Sequence, residues 1–260
     1  MPSPDARPEK PSAAPESIVP GVLIGCAGWS LPREVQDQFP AEGTHLQRYS
    51  RVFGVAEINS SFHRPHRPST YAKWAHSVPE DFRFSAKLPK AITHTQKLVD
   101  TDDLLDAFLA EIGGLGEKLA CLLVQLPPSL RLNAEVAGAF FAGLRARTAV
   151  SVVCEPRHET WFTAEADALL ADAGVGRVGA DPARVPAAAH PGPWGRIAYD
   201  RLHGSPRIYY SSYASDFLAS LAARLRAEVD AGRQAWCIFD NTASGAAAAN
   251  ALELRTLLTG

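Results

Sequence analysis

The sequence lacks several short motifs that mark common classes of enzyme. It contains no G-x-x-x-x-G-K-[ST], so no phosphate-binding loop for a nucleoside triphosphate is indicated. It contains neither a G-x-S-x-G nucleophile elbow nor an H-E-x-x-H zinc pair. We therefore predict no cofactor, and a divalent metal held by scattered side chains stays open as an alternative.

An excess of one charge and long apolar runs are also missing. The chain has 26 Lys and Arg against 28 Asp and Glu, a net charge of −2, which disfavours a nucleic-acid-binding face but allows a local basic pocket. No run approaches the ~18 apolar residues of a membrane span. The four cysteines form no C-x-x-C pair and lie in apolar segments. We expect free, buried thiols and a cytoplasmic protein, with the oligomeric state left open.

Residues 1–20 differ from the rest of the chain. Six prolines interrupt this segment, and it has no apolar periodicity, so a disordered tail is predicted. It also lacks the apolar core of a secretory signal. Residues 21–260 show no internal linker and are predicted to form one domain.

Short apolar runs alternate with helical patterns through this domain. Eight strands and the helices between them predict an α/β fold, a single TIM-type (β/α)8 barrel. Four prolines within 182–195 predict an irregular connection there. The predicted strands are Val22–Cys26, Val55–Asn59, Phe82–Ala86, Leu119–Leu126, Val150–Glu155, Val175–Ala180, Ile197–His203 and Ala235–Asp240. The predicted helices are Thr44–Phe53, Thr70–Ser77, Asp102–Ile112 (capped by Asp102), Ala134–Arg147, Thr163–Ala173 (capped by Thr163), Ser215–Ala231 and Ser244–Leu258.

Nearly every predicted strand ends in polar residues, and a TIM barrel gathers its active site at those ends. Because side chains alternate along a strand, Glu57 and Asn59 share one face, and Glu57 is expected to point into the barrel. A buried carboxylate needs a partner, so Glu57 has two equally weighted interpretations, an Arg anchor or a catalytic group. The same alternation places Tyr199, Arg201 and His203 on one face. Arg201 is able to pair with Glu57 or Glu155, and its guanidinium suits a phosphate as well as a carboxylate.

The segment CEPRHETWF (154–162) has the highest density of reactive side chains. Glu155 ends a strand, and Arg157, His158 and Trp161 follow, a set that suits binding and protonation of a polar substrate. Lys87 ends the third strand and is interpreted as an anion ligand or a nucleophile. Asp240 and Asn241 precede a helix whose first N–H groups add to an anion site.

Seven longer motifs run through about 22–258. They are GCAGWS (25–30), AEINSSFHR (56–64), FRFSAKLPKAITH (82–94), LLVQLPPS (122–129), CEPRHETWF (154–162), RLHGSPR (201–207) and FDNTASGAAAANALEL (239–254). In order and spacing they resemble the domain of unknown function 72 family, also called YecE-like. The resemblance implies a TIM-type barrel without an established reaction.

The family-like positions in this chain are Trp29, Glu57, Asn59, Lys87, His94, Gln125, Glu155, Arg157, His158, Trp161, Arg201, His203, Asp240 and Asn241. Three positions depart from the family pattern. His63 stands where a Tyr is usual, Pro156 where an aromatic is common, and Asp200 where an apolar residue is expected.

Three functions are compatible with these residues. The leading one is a metal-independent hydrolase- or lyase-like enzyme for a small polar anionic substrate. The second is a divalent-metal-dependent phosphoesterase or isomerase. The third is a non-catalytic barrel that binds a metabolite or nucleic acid. In the leading hypothesis the catalytic candidates are Glu57, Glu155, His158 and His203, and the binding candidates are Trp29, Asn59, Lys87, Gln125, Arg157, Trp161, Arg201, Asp240 and Asn241. In the metal alternative the ligands are Glu155, His158, His203 and Asp240.

Overall fold

The computed structural model describes residues 19–192 and 195–259. Within these ranges nine parallel strands form one sheet that curls into a nearly closed barrel, in the order β6-β5-β4-β3-β2-β1-β9-β8-β7. The strands are β1 (Val22–Ala27), β2 (Val55–Ile58), β3 (Arg83–Lys87), β4 (Leu119–Gln125), β5 (Ser151–Glu155), β6 (Val175–Arg177), β7 (Gly179–Asp181), β8 (Ile197–Leu202) and β9 (Gln234–Phe239). The predicted α/β barrel is confirmed. The predicted tail lies, apart from residues 19 and 20, outside the described residues.

The strand count exceeds the predicted eight because the sixth strand is split at Val178. β6 pairs with β5, whereas β7 pairs with β8, so the chain itself joins the two ends of the sheet. The carbonyl of Arg177 accepts a 2.8 Å bond from the amide of Gly192 in the following connection, which takes the place of a strand partner. Residues 174–179 (GVGRVG) match the G-x-G-x-x-G spacing, but they lie in these strands and not at the strand-to-helix turn of a dinucleotide site.

Helices occupy most of the connections. The bounds of α4 and α5 match the prediction, and Thr163 caps α6 as predicted, whereas Thr101 rather than Asp102 precedes α4. Between β7 and β8 the described residues form only a short 3₁₀ turn, Pro186–Ala189, so this connection is as irregular as its prolines predict. The helices are α1 (His45–Tyr49), α2 (Ser60–His63), α3 (Pro68–His76), α4 (Asp102–Ile112), α5 (Ala134–Arg147), α6 (Ala164–Asp172), α7 (Ser215–Asp230) and α8 (Ala246–Leu258). No helix in the described ranges is long and apolar enough to span a bilayer.

Two apolar layers follow from the alternation of side chains along the strands. Ala56 and Ile58 pack toward the helices, whereas Val55 and Glu57 point into the barrel. The interior below the polar rim is filled by Val55, Cys121, Leu123, Val153, Val178, Ile197, Tyr199, Trp236 and Ile238. The barrel interior is therefore a packed core, and the charged side chains Glu57 and Arg201 lie at its C-terminal end.

The outer face of β8 carries one of the departures from the family pattern, Asp200. This carboxylate is 1% exposed, and both of its oxygens accept from Nη1 of Arg224 in α7, at 2.8 and 3.0 Å. Burial raises the pKa of Asp200 to about 6, against the opposing effect of Arg224. The ion pair joins β8 to α7 at the cost of a desolvated charge.

Replacing Asp200 by Asn should change the pH dependence of stability. The folded-state pKa, about 6, exceeds the ordinary 3.8, so the folded protein holds this proton more tightly, and wild-type stability falls as pH rises through that interval. We expect Asp200→Asn to gain stability relative to wild type between about pH 4 and about pH 7, measured by urea unfolding. Asp230→Asn, an exposed change of the same charge, is the control. If the free energy of unfolding of wild type and of Asp200→Asn changed with pH in the same way, the account would be contradicted.

Candidate functional site

A charged cluster lies where β2, β3, β5, β8 and β9 end, at the C-terminal mouth of the barrel. We call it the mouth cluster, and its members are Glu57, Lys87, Glu155, Arg157, Arg201, His203 and Asp240. All seven are residues that the sequence predicted for the site. With His203 neutral, three carboxylates and three cations balance.

Arg201 is the centre of this cluster. Its guanidinium is 1% exposed and donates to Glu57 from Nε at 3.0 Å and from Nη2 at 2.6 Å. Nη1 donates to Glu155 at 2.7 Å, and Nη2 also reaches Asp240 at 3.0 Å. One side chain thus satisfies three carboxylates from three strands.

Glu57 extends the network into the barrel. Tyr199 donates its phenol proton to Glu57 Oε2 at 2.8 Å, and the same hydroxyl lies 2.8 Å from Ser85 Oγ. Both oxygens of Glu57 are therefore occupied by donors, and the residue is fully buried. These contacts match the anchor interpretation of Glu57, since no side of this carboxylate faces the mouth unpaired.

His203 lies between two carboxylates and a guanidinium. Nδ1 is 2.9 Å from Asp240 Oδ2, and Nε2 is 2.9 Å from Glu155 Oε1 and 2.7 Å from Arg157 Nη2. Arg157 Nη2 is in turn 2.5 Å from Glu155 Oε1. When Nε2 carries a proton it donates to Glu155, and when it does not it accepts from Arg157. The ring keeps one orientation in either state, with Nδ1–H donating to Asp240.

The neighbours of each charge set its protonation state. Burial alone would raise the pKa of Glu155, but Arg201, Arg157 and His203 outweigh it and hold that pKa well below its usual range. Burial likewise opposes Arg201 and His203 at Asp240, whose pKa is lowered overall. Both groups are therefore ionised acceptors, and neither is a proton-donating acid at neutral pH.

Lys87 is the cation of the cluster with the fewest partners. Its Nζ lies 4.1 Å from the centroid of the Phe62 ring and makes no ion pair within the described residues. Burial and the charge of Arg201 lower the pKa of Lys87, although Glu57, Glu155 and Asp240 oppose the shift. An ammonium held this way is available to an incoming anion.

Unpartnered polar atoms also collect at the mouth. Buried native polar groups are normally hydrogen-bonded, yet Nε of Arg157 and Oδ1 of Asn59 have no partner among the described residues. The Nδ2 of Asn59 reaches Asp240 Oδ1 at 3.4 Å, so the amide is fixed beside the cluster. A free donor on the residue that contacts His203 and a free acceptor on the residue that contacts Asp240 fit a polar ligand.

The donor set does not suit a divalent metal. Arg201 donates to both Glu155 and Asp240, and a metal ion there would lie against a guanidinium of like charge. His158, the fourth proposed ligand, is turned away and contacts Thr160. Within residues 19–192 and 195–259, no three His, Cys, Asp or Glu side chains are arranged to hold a metal.

The family model for Protein of unknown function DUF72 matches residues 23–260. This chain belongs to the DUF72 family. The UPF0759 protein YecE of Escherichia coli K12 is 31% identical over 106 residues, covering 41% of this chain and 38% of that protein. The UPF0759 protein YunF of Bacillus subtilis is 28% identical over 113 residues, covering 41% of this chain and 40% of that protein. These alignments span about two fifths of the length of the two relatives.

Solved DUF72 structures share the barrel. A family member from Thermotoga maritima superposes with a TM-score of 0.76 at 23% identity, over 92% of this chain and 99% of that one. A member from Enterococcus faecalis gives a TM-score of 0.75 at 20% identity, over 91% and 95% of the two chains. At these identities the likeness establishes the fold.

Six predicted site residues of this DUF72 protein lie outside the mouth cluster, and one of them, Asn59, is held beside it by its contact with Asp240. Trp161 is buried and donates from Nε1 to the carbonyl of Leu130. His158 caps the 3₁₀ turn Glu159–Trp161. Trp29 packs edge-on against Trp74 and Phe84. Gln125 donates to the carbonyl of Leu126. Asn241 donates to the carbonyl of Ser211 and to Asn250.

The remaining departures from the family pattern have different surroundings. Pro156 precedes Arg157, which still reaches Glu155 and His203, whereas His158 is directed to Thr160. His63 is exposed and packs edge-on against Phe62. It therefore belongs to the surface beside the mouth and not to the mouth cluster.

The sequence analysis missed Tyr209, on the loop after β8. Its ring lies edge-on to the ring of His203 at 6.0 Å, and its amide donates to the carbonyl of His203. The backbone of Tyr209 has φ of 71°, an uncommon conformation for a bulky residue. In the sequence, Gly204 and Pro206 are the turn residues of this loop. Gly204 has φ of 92°, and a Cβ there would lie 2.9 Å from the carbonyl oxygen of Ser211.

Removing Arg201 should destabilise the fold strongly. Arg201→Met leaves three carboxylates buried without their shared partner, and breaking buried pairs of this kind costs about 3–5 kcal/mol. The free energy of unfolding, measured in urea, should fall by that order. Arg147→Met is the control. It loses two ion pairs at the surface and should change the free energy of unfolding little.

Arg201→Lys keeps the positive charge but loses the planar guanidinium that donates to several carboxylates at once. The free energy of unfolding of this variant should therefore lie between the values of wild type and Arg201→Met. A loss for Arg201→Met no larger than that of the Arg147 control would mean that the network does not hold the barrel mouth together.

Proposed function

We propose that this DUF72 protein is a metal-independent hydrolase- or lyase-like enzyme that acts on a small polar anionic substrate at the mouth of its barrel. His203 exchanges a proton with the substrate, Asp240 fixes the ring, and Glu155 stabilises the imidazolium. Arg157 and Lys87 bind the anionic group, with Asn59 as a further polar contact.

The environment of His203 carries this proposal. A general acid–base group has to gain and lose a proton without losing its position. Nε2 meets Glu155 when protonated and Arg157 when not, while Asp240 holds Nδ1 at 2.9 Å in both states. A purely structural imidazole needs only one of these arrangements.

The choice of an anionic substrate rests on Lys87 and Arg157. Lys87 makes no ion pair in the described part of the chain, and Arg157 has a buried Nε with no partner there. An anion that binds these groups also draws Arg157 away from Nε2 of His203. Nε2 of His203 then loses its contact with Arg157 and keeps Glu155 as its partner, so the imidazolium donates to Glu155.

The carboxylates act as electrostatic groups in this proposal and not as a glycosidase pair. Such a pair needs one carboxyl group kept protonated as the acid. Arg201 and Arg157 hold the pKa of Glu155 well below its usual range after outweighing burial. Glu57 is enclosed by Arg201 and Tyr199. His203 is the group left to donate a proton.

A non-catalytic metabolite-binding barrel is the second candidate. The observation that favours it is that Arg201 satisfies all three carboxylates, as in a structural network. Both candidates bind an anion at the mouth. They differ in whether the bound anion reacts through proton exchange with His203. For either one we propose a cytoplasmic location, since all four cysteines are free thiols.

Sulfate should bind at the mouth through Lys87 and Arg157. We expect Lys87→Met and Arg157→Gln each to weaken sulfate binding by about tenfold, because each loses a charge-assisted hydrogen bond. Isothermal titration calorimetry measures the affinity. Lys73→Gln removes an exposed lysine on α3 and should bind sulfate as wild type does. Equal affinity in all four proteins would rule out this anion site.

Activity separates the two candidates. A collection of small phosphorylated, sulfated and carboxylated compounds is screened for bond cleavage or elimination with wild-type protein prepared without chelator. We expect Glu155→Gln and His203→Gln to abolish any turnover found while sulfate binding and folding persist. Elemental analysis accompanies the screen. Stoichiometric metal in wild type that is lost in His203→Ala would refute the metal-independent form, and binding without turnover across the collection would favour the non-catalytic barrel.

A further inference from the structure

A cavity of about 310 Å³ lies beside the mouth cluster, between α2, α4 and the loop after β3. Its walls are mostly apolar, with Phe62, Pro65, Pro89, Leu104 and Phe108 among the lining side chains. This volume is at the lower end of the range of small-molecule sites. We call this cavity the side groove.

The side groove is joined to the mouth through Phe62. One part of this side chain lines the groove, and its ring lies 4.1 Å from Nζ of Lys87. Ser61, which also lines the groove, donates from Oγ to the carbonyl of Lys87 at 2.7 Å. Phe62 and Ser61 therefore connect the groove to Lys87 of the mouth cluster.

The charged residues that line the groove are mostly cationic. Lys90 lines the groove and, like Lys87, makes no ion pair within the described residues. Burial lowers the pKa of His94, and the charges of Lys87 and Lys90 lower it further. Glu111 is the carboxylate among the lining residues, on α4. The remaining polar lining includes Arg64, so the groove as a whole favours an anion.

The local backbone also marks this region. Ala91–Thr95 forms a single turn of π-helix directly after Lys90. Such turns are rare and occur frequently at functional sites. Here the turn follows Pro89 and Lys90, and Ala91, its first residue, itself lines the groove.

We propose that the side groove binds the apolar part of the substrate, so that the substrate is an amphipathic anion: a carboxylate, sulfonate or phosphate attached to an apolar ring or chain. The anionic group lies at Lys87 and Lys90, and the apolar part packs against Phe62, Leu104 and Phe108. This inference rests on the proposed function and narrows its substrate class.

Two fluorescent probes test the groove. The dye 8-anilinonaphthalene-1-sulfonate carries an anionic group on an apolar ring system, and N-phenyl-1-naphthylamine has the same rings without the charge. Ala107→Trp fills the groove from α4, where Ala107 is exposed and lines it. We expect Ala107→Trp to lower the affinity for both probes by at least about tenfold, since the apolar surface that they bury is lost. Ala110→Trp adds the same bulk to α4 outside the groove and should bind both probes as wild type does.

The charge at the groove is tested separately. Lys90→Gln should lower the affinity for the sulfonate probe roughly twofold to fivefold and leave the affinity for the neutral probe unchanged. The effect is small because an exposed ion pair contributes little to binding. Lys73→Gln is the matched control and should alter neither probe. Equal effects of Ala107→Trp and Ala110→Trp, or of Lys90→Gln and Lys73→Gln, would overturn the inference. Sulfate binding at the mouth, which Ala107→Trp should leave intact, reports on the proposed function by itself, so the two can fail separately.

Discussion

The enclosure of three carboxylates by one guanidinium is the constraint on which the mouth of this barrel depends. A buried carboxylate is costly, and three of them side by side are tolerable only because Arg201 donates to each. The strands that carry Glu57, Glu155 and Asp240 are therefore tied together at their C-terminal ends by a single side chain. This network fixes the acceptors on both sides of His203, so a structural feature and a chemical one share the same atoms.

Much of this arrangement could be predicted from the sequence, because it follows from the period of two along a strand. That period places Glu57 inside the barrel and puts Arg201 and His203 on one face of β8. The C-terminal position of each strand tip then brings the tips together. Glu57 and Glu155 could be named as partners of Arg201, but the simultaneous binding of both together with Asp240 could not be predicted, since spacing alone does not distinguish one carboxylate from three.

The predicted residues that lie apart from the cluster show what sequence spacing leaves out. His158 is captured by a local turn through Thr160, and Trp161 is directed into the core by a bond to Leu130 that joins distant parts of the chain. Tyr209 reaches the mouth from a loop that the sequence marks only as a turn, through Gly204 and Pro206, without indicating where its side chains point. Side chains on strands follow the period of the strand, whereas loop residues depend on contacts that only the fold supplies.

The central claim is that His203 exchanges a proton when an anion binds at the mouth. Calorimetric titration with sulfate, which stays fully ionised near neutral pH, tests it directly when repeated at one pH in two buffers of different ionisation enthalpy. The account predicts uptake of up to about one proton per sulfate bound, because the anion draws Arg157 from Nε2 and the imidazolium then donates to Glu155. The uptake should vanish in His203→Gln. Sulfate binding with the same heat in both buffers, or with equal proton uptake in wild type and His203→Gln, would contradict the account.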